Sequence, residues 1–417
     1  MAQLSDDCFA FGGQLMSVDV AVETIRTRVS AVPETEHVSL TEADGRVLAS
    51  ALLAPVPLPL FTNSAVDGYA VSGDDLPAEE ARAFPVGGRV QAGSVADPIA
   101  PGTAVRIFTG APMPDGADTV FMQEDVTRDE AGRVVLPAGL KRGANVRPAG
   151  EDIPEGALAL ASGRRLRPQD VALAAALGLT GLEVRRRIRV AVFSTGNEVV
   201  PPGEARSGAQ VFDSNRYMLA ALLRRLGCAV SDLGILRDDR ITLSAALREA
   251  AAGHDLVLTS GGVSTGEEDH VRASVESVGT LVLWRMAIKP GRPVAMGVIG
   301  GTPFIGLPGN PVASFVTFAY VVRPVVLALS GGVADPPAPL PVRAAFAYRK
   351  KKGRREYVRA HLRVAADGAR EAVKFPREGA GLLSSLVETD GLVELGEDIE
   401  SVKPGDEVGF LAYPVLI

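Results

Sequence analysis

From residue 188 to about residue 330 the chain alternates short apolar, β-rich runs with amphipathic helical ones. Such alternation predicts a mostly parallel, doubly wound sheet with helices on both faces. Residues 188–193 read as a strand. A helix follows in which Met218, Leu219, Leu222, Leu223 and Leu226 share one face, with Asp213 or Ser214 as its cap. Residues 229–236 read as a strand and 241–252 as an alanine-rich helix. Strands are then expected at 256–258, 281–286, 294–298 and 304–307, with a helix near 271–278. A last helix begins after Asn310-Pro311.

Each strand of this unit runs into a loop built for anions. The fullest is Thr259-Ser260-Gly261-Gly262-Val263-Ser264-Thr265-Gly266, followed by Glu267, Glu268 and Asp269, with a helix expected from Asp269 or His270. Glycine lets the backbone come close to a ligand, hydroxyls and free N–H groups donate to its oxygens, and the helix start adds positive potential. Neither a Walker lysine nor a Gly-x-Gly-x-x-Gly pattern is present, so ATP-type and dinucleotide sites are disfavoured. Ser194-Thr195-Gly196-Asn197-Glu198, Lys289-Pro290-Gly291-Arg292-Pro293 and Pro308-Gly309-Asn310-Pro311 follow other strands. Each alone reads equally as a surface turn. In a parallel sheet all would converge at the carboxyl ends of the strands.

Acids form a second theme. Asp67 and Asp152 lie in Gly- and Ser-containing loops, while Glu198, Asp238 and Asp269 follow sheet strands. Carboxylates beside phosphates make chemical sense when Mg²⁺ bridges them or when one orients water; otherwise they read as surface acids and helix caps. A third theme is the cationic run Arg349, Lys350, Lys351, Lys352, Arg354 and Arg355 at an expected hairpin, read as a solvated tip or as an oxyanion clamp.

Composition narrows the classes. The chain has 417 residues, enough for two to four domains, with 47% hydrophobic residues and 22% charged ones. A net charge of −7 argues against general nucleic-acid binding. Two isolated cysteines, Cys8 and Cys228, make neither a disulfide framework nor a zinc site, and the four histidines show no i, i+4 pairing. Any metal is therefore expected on carboxylate oxygens, which points to Mg²⁺. No signal peptide is evident, and the apolar stretch near residues 312–329 carries Arg323 and Pro324, as a buried helix would. The expectation is a cytoplasmic protein with no membrane association.

Ahead of the alternating unit, Val18, Val22, Ile25 and Val29 mark an amphipathic helix, and residues 42–50 suggest another. Short β-runs punctuated by Pro and Gly fill 51 to about 146. Beyond a Gly/Pro/Ala linker at 331–341, strands near 342–348, 356–364, 392–395 and 407–411 suggest a small β-domain.

With these residues in place, the chain resembles the molybdopterin molybdotransferase family, the MoeA type related to the C-terminal enzyme part of gephyrin. The resemblance rests on residues 63–70, Phe108-Thr109-Gly110-Ala111, 150–153, 194–198, 260–269, Lys289 to Pro293 and Leu307 to Val312, in family order from about Ser17 to the end. It implies an elongated first domain from residues 1–50 and 145–185, and an inserted β-rich domain at 51–144. It further implies a molybdopterin-binding α/β domain at 186–330 and a β-barrel-like domain at 335–417. The implied partners are adenylylated molybdopterin, molybdate and a second copy of the chain, since sites would lie between one subunit's α/β domain and the other's N-terminal part. The implied reaction inserts molybdate and releases AMP with Mg²⁺ dependence. Asp67, Asp152, Glu198, Asp238 and Asp269 match the family's acids, with Asp238 and Asp269 expected on the metal. Thr109, Ser194, Thr195, Gly196, Ser260, Gly261, Gly262, Ser264, Gly266, Pro308, Gly309, Asn310 and Pro311 match substrate positions. Lys289, Arg292, Arg354 and Ser384 match the molybdate region. Asn197, Ala313 and Ser314 depart from the pattern. A molybdopterin adenylyltransferase or a non-catalytic scaffold on the same fold are the competing readings; the long N-terminal half and the retained acids oppose them.

Overall fold

The computed structural model describes residues 4–10, 15–237, 239–261, 270–333 and 336–417. At its centre lies a six-stranded sheet in the order Ala229–Leu236, Arg189–Thr195, Leu256–Ser260, Thr302–Leu307, Pro293–Ile299, Thr280–Arg285. The first four strands run parallel. Pro293–Ile299 is antiparallel to both neighbours, so Thr280–Arg285 again points with the parallel set. Both faces of the sheet are covered. Val190, Val192, Leu256 and Leu258 face the helices Asn215–Arg225 and Pro311–Thr317, whereas Ala191, Phe193 and Val257 face Arg240–Gly253 and His270–Val278. This is the alternation a strand imposes when its two sides are both buried.

Among the described residues one helical run, Pro311–Leu329, is long and apolar enough to cross a membrane, and 89% of its window lies buried inside the protein. Its middle, Phe318–Val322, winds as a π-helix directly before Arg323-Pro324. A wider turn suits a proline that has no N–H for the ladder. The first helix, Val18–Arg28, joins the same core through Val18, Ala21 and Ile25.

The N-terminal half is built from small sheets. Thr35–Ser39 pairs with Gly181–Arg185, and Val38, Leu48, Leu160, Leu166 and Val184 share one apolar cluster drawn from two distant stretches of chain. The expected helix at 42–50 is absent. A 3-10 turn spans Leu40–Glu42, after which Val47 and Leu48 bridge to Arg165 and Val184. The apolar spacing there served sheet pairing instead. A four-stranded sheet (Val86–Val90, Ala104–Ile107, Gly68–Val71, Thr119–Met122) and a three-stranded one form the β-rich part.

At the C-terminus five strands close into a barrel. Arg355–Val364 pairs with Arg370–Lys374 and Gly391–Leu395, and the ring is completed through Leu340–Ala344 and Glu407–Ala412. The strand Arg370–Lys374 was not anticipated, and its pairing with Leu340–Ala344 is parallel. Ile288–Lys289, from a loop of the α/β sheet, adds itself beside Arg355-Glu356.

Candidate active site

The carboxyl ends of Arg189–Thr195, Leu256–Ser260 and Thr302–Leu307 open into one pocket. Its lining includes Ser194, Thr195, Glu198, Ser260, Gly261, Gly309, Asn310 and Pro311, so the loops after these three strands converge, whereas Lys289 and Pro290 of the fourth expected loop line a separate pocket. Gly196 has φ +137°, and a Cβ there would meet the Glu198 carboxylate at 2.7 Å. Only glycine lets that carboxylate fold back over the loop. Ser194, Thr195 and Ser260 are buried, and the Thr195 hydroxyl has no hydrogen-bond partner among the described residues.

Sequence reasoning missed the residue that ties this pocket together. Asn215, the first residue of its helix, donates from Nδ2 to the Ser260 hydroxyl at 2.8 Å and to the Gly309 carbonyl at 2.7 Å. Its Oδ1 is buried without a partner among the described residues. A buried acceptor left open is costly unless something docks on it. Asp213, expected as a cap, accepts from the Arg216 N–H in the first turn at 3.3 Å and also holds the Arg216 guanidinium through a buried ion pair at 2.8 Å. The only signal for Asn215 was its place at a helix start beside Asp213-Ser214.

A second pocket lies where the α/β unit meets the barrel, lined by Lys289, Tyr348, Glu356, Arg359 and Lys374 among others. Glu356, 1% exposed, accepts from the Tyr348 hydroxyl at 2.8 Å and pairs with Arg354 at 2.7 Å and Lys289 at 3.4 Å. Burial pushes its carboxyl up, but the hydrogen bonds from Tyr348 and Arg354 outweigh this and keep it below the usual glutamate range. Burial likewise pulls the Lys289 ammonium down, and Tyr348 and Glu356 more than restore it. Arg359 is 8% exposed, and among the described residues its guanidinium bonds only the Ser385 hydroxyl (3.1 Å) and the Gly379 carbonyl (3.1 Å). Burial lowers its pKa. It too escaped the sequence reading, although a lone arginine in the apolar run Tyr357-Val358-Arg359-Ala360 was its signature.

The two pockets adjoin. Gly379 and Ala380 line the second, Gly381 and Leu383 the first, and the Val312 N–H donates to the Ala380 carbonyl at 3.0 Å. Arg354 is engaged by Glu356 and lines neither pocket; Arg292 and Ser384 are exposed outside both linings. The cationic run at 349–355 is not a paired hairpin, since Tyr348–Arg349 pairs with Ser401–Val402. Lys350 is spent on the carbonyls of Glu397 and Ile399, and Arg355 on Asp19 and Glu397.

Asp67, Thr109 and Asp152 lie in the N-terminal half, away from both linings. Asp67 Oδ1 accepts from the Thr109 N–H and hydroxyl, each at 2.8 Å. These bonds, the backbone one foremost, hold its carboxyl below the usual range, helped by the charge of Arg106. Asp152 is exposed, in a loop whose backbone pairs with Leu58. Asp238, Gly262, Ser264, Gly266 and Asp269 fall outside the described residues. Among the described residues no group of three potential metal ligands occurs.

Fold and site define a multidomain protein whose α/β domain presents a hydroxyl-lined loop cluster beside a cationic pocket. Family models agree along the whole chain: the MoeA N-terminal region (domain I and II) matches residues 16–178, the probable molybdopterin binding domain 191–328, and the MoeA C-terminal region (domain IV) 341–413. A molybdopterin molybdenumtransferase of Haemophilus influenzae is 36% identical over 94% of this chain and 98% of its own. One from Nostoc is 35% identical over 93% and 91%. The crystal structure of a molybdopterin biosynthesis MoeA protein from Pyrococcus horikoshii superposes with TM-score 0.81 at 29% identity, covering 96% of this chain and 100% of that one. The chain belongs to the molybdopterin molybdenumtransferase family.

Proposed function

We propose that this transferase of molybdenum cofactor biosynthesis acts on adenylylated molybdopterin, inserting molybdate while the adenylate is cleaved and AMP released. The observation that carries this reading is the adjacency of the two pockets. One offers hydroxyls, loop N–H groups and a carboxylate, as a phosphate-bearing ligand with a metal ion requires. The other offers Lys289 and Arg359, as a tetrahedral oxyanion requires. Carboxylates repel a dianion, so separating the two chemistries by a single loop is coherent.

The site's oxygen-only character fits Mg²⁺: Glu198, the Thr195 hydroxyl and the open Asn215 Oδ1 include neither thiolate nor imidazole. When bound, Mg²⁺ neutralises charge on the phosphoanhydride oxygens. We assign its binding to Asp238 and Asp269, together with Glu198. Asn215 fixes the spacing of the Ser260 and Gly309 loops around the substrate phosphate, and Thr109 orients Asp67. The protein is further proposed to work as a homodimer in the cytoplasm. Leu53 and Leu158, register partners on neighbouring strands, stay 56% and 59% exposed, an apolar face suited to a second copy. Cys8 and Cys228 are both free thiols, as a reducing compartment allows.

The test is direct. Purified protein is given adenylylated molybdopterin, molybdate and Mg²⁺, and AMP is quantified alongside cofactor formed. Stoichiometric AMP and cofactor are expected, with both abolished by Glu198→Gln. Cofactor formation without AMP, or AMP consumption instead of release, would overturn the reading.

A further inference from the structure

Val86–Val90 and Ala104–Ile107 run parallel with Arg89 opposite Arg106 in register, so two guanidiniums project from neighbouring strands on one face. Both sit on the same ring: each carbon centre lies 4.8 Å from the centroid of Phe108. Like charges at directly opposed strand positions repel. Here each arginine meets only neutral acceptors among the described residues. Arg106 bonds the Gly68 carbonyl at 3.1 Å and the Gln123 side-chain oxygen, while Arg89 reaches the Gln91 amide oxygen at 3.0 and 3.2 Å once that amide is oriented to receive it. Among the described residues neither cation is hydrogen-bonded to a carboxylate, so two guanidiniums share one ring in a protein whose net charge is −7, with only the nearby charge of Asp67 felt by Arg106.

Their place gives this meaning. Phe108 is followed directly by Thr109, and Gly68 directly follows Asp67, so the arginine pair borders the Asp67–Thr109 contact. The strand junction is rigid: a Cβ at Gly68 would fall 1.8 Å from the Phe121 carbonyl oxygen. Asp67 already gives its Oδ1 to Thr109 and makes no ion pair with either arginine among the described residues. A planar guanidinium held by a ring and a carbonyl keeps its remaining N–H groups ordered for a tetrahedral anion.

We propose that Arg89 and Arg106, braced on Phe108, form an oxyanion subsite beside Asp67 that takes a tetrahedral dianion, either the phosphate monoester of a nucleotide or molybdate. It rests on the function proposed above, in that both anions belong to that reaction. It supplies from the N-terminal half the positive charge that the acids of this half would otherwise deny to an approaching anion.

The full-length protein, Arg89→Gln and Arg106→Gln are titrated calorimetrically with AMP, with sodium molybdate, and with adenosine as the phosphate-free control. Each substitution is expected to weaken one or both anions by about 10-fold to 100-fold and to leave adenosine unchanged. Loss confined to AMP assigns the subsite to the nucleotide phosphate; loss confined to molybdate assigns it to the metal oxyanion. Arg89 is exposed, so its variant decides the matter should Arg106→Gln fail to fold. Wild-type affinity of Arg89→Gln for both anions, or an equal loss for adenosine, overturns the subsite. AMP release from adenylylated pterin is followed separately, so that a protein inactive in that assay but with arginine-dependent anion binding refutes the proposed function and not the subsite.

Discussion

Asp67 takes both of the hydrogen bonds that Thr109 can direct at it, and takes them on one carboxylate oxygen. The second oxygen is thereby left for a ligand. Because these bonds favour the ionised form, the folded-state pKa is depressed. The stabilisation they give is present above the unfolded pKa and fades as pH falls through the folded one. Thr109→Val keeps the N–H bond and removes the hydroxyl bond, so the Asp67 pKa should rise. The acid limb of the pH profile for AMP release should then move to higher pH, with activity near neutrality largely kept. An unmoved limb would show that Asp67 is not the group titrating there.

The half-buried position of Asp67, outside the α/β pocket lining, bears on subunit exchange. Asp67→Asn and Glu198→Gln are each expected to be inactive. Mixed and allowed to exchange, they should recover about a quarter of wild-type activity, since half the dimers are mixed and each mixed dimer holds one site with both acids. Recovery is measured after exchange has been verified with tagged subunits. No recovery would place Asp67 and Glu198 in the same subunit's site.

The cationic pocket gives a rank order. Arg359 has no carboxylate partner within its described contacts, Lys289 shares Glu356, and Arg354 is bound to Glu356 at 2.7 Å. Losing one charge-assisted contact to an oxyanion costs roughly 1.5–3 kcal/mol, or about one to two decades in affinity. Cofactor assembly titrated with molybdate should show that requirement for Arg359→Ala and Lys289→Ala, and a smaller rise for Arg354→Ala. Equal effects for all three would mean that Glu356 does not hold Arg354 back from the anion.

Stability has its own lever in Asp255. It is fully buried and accepts from both Arg186 nitrogens, at 2.6 and 2.9 Å, and from the Arg189 N–H at 2.8 Å. Burial raises its pKa, but the Arg186 and Arg189 bonds prevail and the net shift is downward. Its contribution is therefore complete above the unfolded carboxyl pKa and is lost as pH falls through the folded one. Asp255→Asn leaves Arg186 facing a neutral group and should cost about 3–5 kcal/mol, read from urea unfolding at neutral pH. The difference from wild type should shrink in acid.

The α/β unit was legible because its signals are local. Apolar runs, a cap region and glycine turns announce strands, helices and loops one at a time, and parallel topology then sends Ser194, Ser260 and Gly309 to one edge. What escaped depends on contacts between distant segments. Asn215 matters only because two loops come within reach of its amide. Arg359 lies in a strand buried almost continuously, Glu356 to Ala360, so no polar–apolar alternation marks its inward side. Arg354 looked as available as any cation in its run, and it is the buried Glu356 that removes it. The misread helix at 42–50 failed likewise: the bridge partners of Val47 and Leu48 lie more than a hundred residues away in the chain.

The short strand Ile288–Lys289 leaves the α/β sheet and is counted into the edge of the barrel. The C-terminal domain is consequently not an interchangeable appendage. Grafting a relative's barrel onto this chain would also have to supply a matching edge for a strand encoded about forty residues before the linker, and the pocket cation Lys289 rides on that strand. The barrel edge and the Lys289 loop, separated in sequence, thus form a single structural unit, and a change to either bears on how the pocket cation is held.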